Sequence, residues 1–216
     1  LNNCPTMNII YLLFHGLSPY SGISKKILHQ VKGFEACGHR VSLCTYSIAD
    51  NGHRVRMINN EIIEDYGTGK PAAAKRRVSY QCIYRYAITH QVELIYVRSF
   101  HNANPFTIRL FSKLRKAGIK IAMEIPTYPY DSEYAGFPLV TRLGIQVDKV
   151  FRKTLAKHVN AIVTFSDYHC IFGQRTIQIS NGVDFDSIPL KKTVSKNTSV
   201  IHLLGVAEVH YWHGYD

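Results

Sequence analysis

Short apolar runs alternate along this chain with amphipathic segments, and that alternation restricts the possible folds more than any other feature. The first run, MNIIYLLF from Met7 to Phe14, is nearly continuous, as is typical of a strand buried on both faces of a parallel sheet. Strands and helices then alternate along the chain. The pattern predicts the α/β class, with a parallel sheet, right-handed crossovers and helices on both faces.

Capping residues and glycines mark where several of the predicted helices begin and end. Ser21 is predicted to cap the first helix, and Gly38 to close it in a left-handed conformation. Asn104 and Pro105 predict the start of another helix, which runs to Ala117.

Other segments carry less regular signals. Residues 53–66 are predicted to form a hairpin that turns at Asn59-Asn60. We expect a basic, small-residue loop at 67–77 (GTGKPAAAKRR), a long helix at about 138–158 and a short helix at 167–173 (DYHCIFG).

The charge and the cysteines restrict the partners and the compartment. The formal net charge of +11 favours anionic partners such as nucleotide phosphates, acidic lipids or nucleic acid. The five cysteines are odd in number and form no C-x-x-C pair, which argues against a disulfide framework or a zinc site. The expected compartment is the cytoplasm, with the inner face of the membrane as a second location. No apolar run approaches the length needed to span a bilayer.

Four segments carry a resemblance to a known family when they are taken in order. They are SPYSGISKK at 18–26, Gly38-His39-Arg40-Val41, AIVTFS at 161–166 and IQISNGVDFDSI at 177–188. Together they resemble the N-terminal half of glycosyltransferase family four, whose members have the two-domain GT-B architecture. The resemblance implies a Rossmann-like first domain over residues 1–190. It also implies that residues 191–216 are a linker and the first strand of a truncated donor-binding domain.

The same resemblance implies a retaining transfer of sugar from a nucleotide-sugar donor to a glycan or glycolipid acceptor, as a step of polysaccharide biosynthesis. It implies no metal or other cofactor, and we expect residues 1–216 alone to transfer no sugar. The chain departs from the family in the loop after Gly205, VAEVHYWHG, which lacks the arginine and lysine that usually hold the donor diphosphate.

Ligands of open α/β sheets bind beyond the carboxyl ends of the strands, so the loops there supply the candidate site residues. Gly22, after Ser21, would let backbone N–H groups approach a phosphate or sugar, or would merely permit a tight turn. Arg98 and His101 follow another strand and are candidates for acceptor binding or proton transfer, or for a capping loop.

The loop EIPTYPYDSEY provides the main prediction of an acceptor site. Glu124 lies in a buried strand, where an unpaired carboxylate is costly, so it is either catalytic or paired with an arginine. Tyr128 and Tyr130 offer flat faces to a sugar, and Asp131 can accept hydrogen bonds from its hydroxyls; both tyrosines could instead pack on neighbouring loops. His101, Glu124 and Asp131 are thus the catalytic candidates.

Two further groups of residues carry predictions. Asn181, Gly182 and Asp184 are predicted to form a turn at the lip of the interdomain cleft. A basic run precedes a predicted helix, where cations oppose the helix dipole, so it could contact anionic lipid or a polyprenyl-phosphate acceptor. A solvated loop is the alternative for this run, which comprises Lys70, Lys75, Arg76 and Arg77.

Two other functions remain open at this stage. A sugar-nucleotide epimerase shares the two-domain layout and would need acids and histidines in the cleft. A basic, non-catalytic binding module would account for the charge, although no nucleic-acid recognition motif is present and nucleic acid is not the expected partner.

Overall fold

The computed structural model describes residues 5–99, 101–131 and 139–182, together with Asp184 and Ile188. The strands in these residues are β1 (Asn8–Leu12), β2 (Arg40–Ile48), β3 (Arg54–Ile58), β4 (Glu61–Asp65), β5 (Leu94–Arg98), β6 (Lys120–Ile125), β7 (Ala161–Thr164), β8 (Cys170–Ile171) and β9 (Gln174–Gln178). The helices are α1 (Gly22–Ala36), α2 (Gly69–Val78), α3 (Gln81–Thr89), α4 (Pro105–Lys116) and α5 (Leu139–Ala156).

The strands form one mostly parallel sheet in the order β4-β3-β2-β1-β5-β6-β7-β9-β8. Strands β2, β1, β5, β6, β7 and β9 run parallel to their neighbours in that series. The hairpin of β3 and β4 extends one edge with antiparallel strands, and β8 extends the other. The predicted α/β class with a mostly parallel sheet is confirmed, and the topology is consistent with a Rossmann-like fold.

Helices cover both faces of this sheet, as predicted. Because successive side chains of a strand point to opposite faces, β1 supplies two separate cores. Ile10 and Leu12 belong to the core that includes residues of α3, α4 and α5. Ile9 and Tyr11 belong to the other core, with Ile27 of α1.

Several local predictions are confirmed at the level of individual bonds. The Ser21 hydroxyl caps α1 by accepting a hydrogen bond from the Ser24 N–H at 3.4 Å. Asn104 forms a capping box with Thr107 at the start of α4. Asn59 and Asn60 both have positive φ angles and form the turn between β3 and β4.

The prediction of a loop at residues 67–77 is wrong, because helix α2 begins at Gly69 and continues to Val78. Three consecutive alanines favour a helix there. Pro71 does not prevent it, since it lies in the first turn, where a backbone N–H has no partner within the helix.

The short helix predicted at residues 167–173 is also wrong. Cys170 pairs with Arg175, and Ile171 pairs with Gln174, in an antiparallel hairpin of β8 and β9. Phe172 and Gly173 form its turn with φ angles of 53° and 80°. Positive φ at both central residues is the geometry of a two-residue hairpin turn. The glycine therefore belongs to a turn between strands and does not end a helix.

Helix α5 lies within the range predicted for the long helix, but its apolar residues are divided between core and solvent. Ile145 and Leu155 are buried. Leu143, Val147 and Val150 are exposed, at 57%, 45% and 71% of their surface. The described part of α5 thus presents a second apolar stripe away from the core.

The chain divides into two compact units, Leu1–Val183 and Asp184–Asp216. The sheet and its helices all belong to the first unit. Residues 191–216, where we predict the linker and first strand of a donor domain, lie outside the described residues, so that assignment stays a prediction. No helix in the described ranges is long and apolar enough to cross a membrane.

Candidate functional site

The strand order creates a crevice between β1 and β5. The chain leaves β1 through α1 to reach β2 on one side, and leaves β5 through α4 to reach β6 on the other. Connections that diverge in this way leave a gap beyond the carboxyl ends of the two central strands, which is where open α/β sheets bind ligands.

A pocket of about 550 Å³ lies at these strand ends. The loop after β1 contributes Phe14, His15 and Gly16, and the loop after β5 contributes residues 101–104. Strands β2 and β3, the end of α2, Tyr80, Phe106 at the start of α4 and one side of α5 supply the remaining walls. Its volume falls within the range of small-molecule sites.

Arg56 is the most unusual side chain of this pocket. It lies on β3 opposite Tyr46 of β2, and only 1% of its surface is exposed. Its Nη1 donates to the Leu13 carbonyl at 2.7 Å. Its Nε is buried and has no hydrogen-bond partner among the described residues. Burying a guanidinium without a paired carboxylate costs free energy. Packing alone therefore does not account for an arginine at this position.

Two further arginines contact Tyr46, the pocket residue that pairs with Arg56 across β2 and β3. The guanidinium of Arg76 lies over the Tyr46 ring, with its Cζ 4.0 Å from the ring centroid. Nη1 of Arg54 donates to the Tyr46 hydroxyl at 2.7 Å. Burial is the main reason that the pKa of Arg76 is lowered, and the neighbouring cations of Arg77 and Arg54 act in the same direction. The charges of this cluster therefore repel one another, and an anion between them would relieve that repulsion.

Gly16 permits a close approach between the first loop and the second strand. A Cβ at this position would lie 2.8 Å from the carbonyl oxygen of Tyr46. Backbone cannot yield as a flexible side chain does, so only glycine fits here without displacing β2. Gly16 thus holds the loop after β1 against the strand that carries Tyr46.

His101 is the predicted catalytic candidate that lies in the pocket wall. Its φ of 48° is left-handed, and its ring packs edge-on against Tyr130 with centroids 4.9 Å apart. Burial lowers the pKa of His101, and Arg152 acts in the same direction, although Asp148 and Asp131 oppose it. The imidazole is therefore neutral near pH 7 and able to accept a proton.

Tyr130 and Asp131 lie beside His101 without lining the pocket. The Tyr130 hydroxyl donates to Asp148 at 3.1 Å, and Asp148 also accepts the Ala103 N–H at 2.9 Å. Asp131 receives two hydrogen bonds from Arg152, at 2.7 and 3.0 Å. That bidentate contact is the main reason that the pKa of Asp131 is lowered. These side chains hold the loops around His101 in place.

Tyr128 belongs to an aromatic cluster with Tyr130. Its ring lies edge-on to those of Tyr168 and Phe172, with centroids 4.9 and 5.5 Å apart. The cation of Arg152 lies 4.7 Å from the Phe172 centroid. The structure thus packs both predicted sugar-binding tyrosines against neighbouring loops, which is the alternative left open by the sequence.

Arg98 and Glu124 form a buried ion pair on the side of the sheet that α1 covers. Glu124 is fully buried and also accepts hydrogen bonds from Gln30 at 2.9 Å and from Tyr96 at 2.7 Å. Each carboxylate oxygen therefore has a partner within the chain, and neither residue lines the pocket.

The remaining predicted residues are not in the described lining of the pocket. Ser21 caps α1, and a Cβ on Gly22 would meet nothing within 4 Å. The side-chain oxygen of Asn181 accepts a hydrogen bond from the Lys26 ammonium at 2.6 Å, and Gly182 is exposed. Asp184 belongs to the other compact unit.

The basic run divides into two pairs. Arg76 and Arg77 line the pocket, whereas Lys70 and Lys75 are exposed outside it. The expectation that these cations oppose a helix dipole is wrong for Lys75, Arg76 and Arg77, which lie in the last turn of α2, where cations are favourable. Lys70 lies in the first turn, where a cation does oppose the dipole.

Arg56, Tyr46, Phe14 and Gly16 are pocket residues that the sequence reasoning did not identify. A signal for Arg56 was present in the strand RVRMI, since Arg56 and the buried Ile58 share one face of β3 by their spacing of two. A charged residue at an apolar position of a strand indicates a special environment.

Among the described residues, no group of three or more His, Cys, Asp or Glu side chains is placed to hold a metal ion. Comparisons with protein-family models, with curated proteins and with solved structures found no match to this chain.

Proposed function

We propose that this chain is the acceptor-side domain of a retaining glycosyltransferase with the GT-B architecture. It would help to move a sugar from a nucleotide-sugar donor to a glycan or glycolipid acceptor. The observation that carries the proposal is the pocket at the carboxyl ends of β1 and β5, with its arginines and His101. The order of the family-like segments along the chain supports the same assignment.

In this proposal the pocket receives the acceptor and His101 handles its hydroxyl proton. A neutral imidazole at the wall of the site can accept a proton as the hydroxyl attacks the sugar. Glycosyl transfer gains most from holding the two substrates together and from stabilising the leaving nucleotide. Tyr130, Asp131 and Asp148 act as positioning residues around His101, and the Arg98–Glu124 pair fixes β5 against β6.

The described lining of the pocket favours transfer over epimerisation. A sugar-nucleotide epimerase would need carboxylates beside its histidines. The described lining contains His15 and His101 but no aspartate or glutamate. It contains three arginines instead, Arg56, Arg76 and Arg77.

The test is a transfer assay with the natural gene product that carries this chain. Uridine, guanosine and adenosine diphosphate sugars are supplied with and without glycolipid and lipid-phosphate acceptors. We expect a glycosylated product only when an acceptor is present, with the donor's anomeric configuration retained by NMR. Conversion of the sugar nucleotide without acceptor would identify an epimerase, and binding of DNA without any sugar chemistry would identify a basic binding module.

A matched pair of variants tests the role of His101. His101→Gln is expected to lower kcat by roughly 10²–10⁴-fold, the usual contribution of a general base. His29→Gln, on an exposed position of α1, is expected to retain full activity. Equal activity of both variants would show that His101 is not the general base.

A further inference from the structure

The pocket has a cationic wall with no opposing carboxylate in its described lining. Arg56, Arg76 and Arg77 all contribute to that lining. Among the described residues no salt bridge joins a carboxylate to Arg56, Arg76 or Arg77, whereas Glu124 pairs with Arg98 and Asp131 with Arg152. The arginines of the pocket are therefore available to an anionic ligand, and a neutral glycan would leave them unpaired.

Arg56 provides an independent sign of a ligand. Its side chain is almost fully buried, it lines the pocket, and its Nε has no partner within the described residues. Buried donors are nearly always paired, and an orphaned one implies a missing acceptor. Its partners within the chain, the Leu13 carbonyl and the Tyr66 hydroxyl, are neutral, and a planar guanidinium also suits the oxygens of a phosphate.

The lining of the pocket also contains apolar side chains that are exposed to solvent. They are Val78, Phe106 and Val147, which are 43%, 46% and 45% exposed. On α5 the apolar stripe continues from Val147 to Leu143 and Leu139, which are spaced four residues apart and are 57% and 69% exposed. The pocket thus combines arginines with apolar side chains, and the apolar stripe of α5 extends beyond its lining.

We infer that this pocket binds a lipid phosphate: its phosphate pairs with Arg56, Arg76 and Arg77, and its hydrocarbon chain lies along Val78, Phe106 and the exposed stripe of α5. Charge complementarity selects the phosphate, and the apolar stripe selects an amphiphile over a free sugar phosphate. That this lipid phosphate carries the acceptor hydroxyl on its headgroup rests on the proposed function, whereas its binding does not.

The test measures binding to residues 1–216 by calorimetry, with farnesyl phosphate below its micellar concentration as the probe. We expect saturable one-to-one binding. Farnesol and inorganic phosphate, which each supply half of the ligand, are expected to bind at least about 10-fold more weakly.

Variants of equal charge separate the pocket from the general positive charge. The double variant Arg76→Gln/Arg77→Gln is expected to weaken farnesyl phosphate binding by about 100-fold. The control Lys70→Gln/Lys75→Gln removes the same charge from exposed positions of the same helix and is expected to change it by less than about 3-fold. Val147→Ser is expected to weaken farnesyl phosphate binding by about 5-fold. The control Ile88→Ser, at an exposed position of α3, is expected to leave that binding unchanged.

Three results would overturn the inference. They are equal weakening by the arginine and lysine variants, phosphate binding as tight as farnesyl phosphate binding, and association with anionic vesicles but not with monomeric farnesyl phosphate. Failure of the proposed function looks different: farnesyl phosphate binds as expected, but the gene product transfers no sugar. Transfer to a neutral acceptor with no lipid phosphate bound would overturn only the inference.

Discussion

His101 combines a strained backbone with a buried, titratable side chain. Its φ of 48° lies in the left-handed region, which non-glycine residues seldom adopt. Its ring contacts Tyr130 and borders the pocket. Strain of this kind is found at functional sites more often than elsewhere. The residue type was visible in the sequence, but its backbone conformation and its partner were not.

The pKa of His101 predicts a pH dependence of stability. Burial, with a contribution from Arg152, lowers this pKa in the folded chain, whereas the unfolded value is about 6.5. As the pH falls below that value, the unfolded chain binds the proton first, so the free energy of unfolding decreases until the pH reaches the folded pKa. We expect His101→Gln to lose less stability than the wild type between pH 7 and pH 5 in urea denaturation.

The control for that measurement is His29→Gln on the exposed side of α1. It should follow the wild-type pH profile. If His101→Gln also follows it, the imidazole of His101 titrates alike in the folded and unfolded chains and the argument from burial is wrong.

At the scale of elements, local capping explains why α4 starts where it does. Asn104 accepts hydrogen bonds from the N–H groups of Phe106 and Thr107 at 2.9 and 3.0 Å, and Pro105 occupies the first turn. The sequence alone predicted this start because all the interacting groups lie within four residues. Helix α2 was missed because Gly67, Gly69 and Pro71 at its start are typical of a loop.

The N-caps of α4 and α2, Asn104 and Thr68, give a matched prediction. Asn104→Ala removes both hydrogen bonds and is expected to cost about 1 kcal/mol of unfolding free energy. Thr68→Ala removes no such bond and is expected to cost less than about half of that. Chemical denaturation of both variants measures the difference in unfolding free energy. Equal losses in the two variants would show that the hydrogen bonds of the Asn104 cap do not stabilise the fold.

At the scale of the whole molecule, a buried polar network joins α1 to three strands. Tyr11 of β1 donates to Gln30 of α1 at 2.6 Å, and Gln30 donates to Glu124 of β6. Arg98 and Tyr96 of β5 complete it. Every partner lies on a different element from Glu124, so sequence spacing could indicate a buried carboxylate but not which side chains satisfy it.

Removing one member of this network should be costly. Arg98→Met leaves the Glu124 carboxylate buried without its cation and is expected to destabilise the fold by roughly 3–5 kcal/mol. Arg85→Met breaks the exposed pair with Glu64, whose atoms are 3.4 Å apart, and is expected to cost less than about 1 kcal/mol. Urea denaturation compares the two, and a similar small cost for both would contradict a structural role for the Arg98–Glu124 pair.

The sequence by itself determined most of the elements and the class of the fold. Strand β1, the hairpin turn at Asn59-Asn60 and the start of α4 follow from periodicity and capping, which act over a few residues. The order of the strands and the place of the site were decided by tertiary structure. Arg56 and Arg76 are 20 positions apart and His101 is further still, yet all three line one pocket. Only the divergence of the chain at β1 and β5 brings them together, because side chains distant in sequence become neighbours through packing and not through local preference.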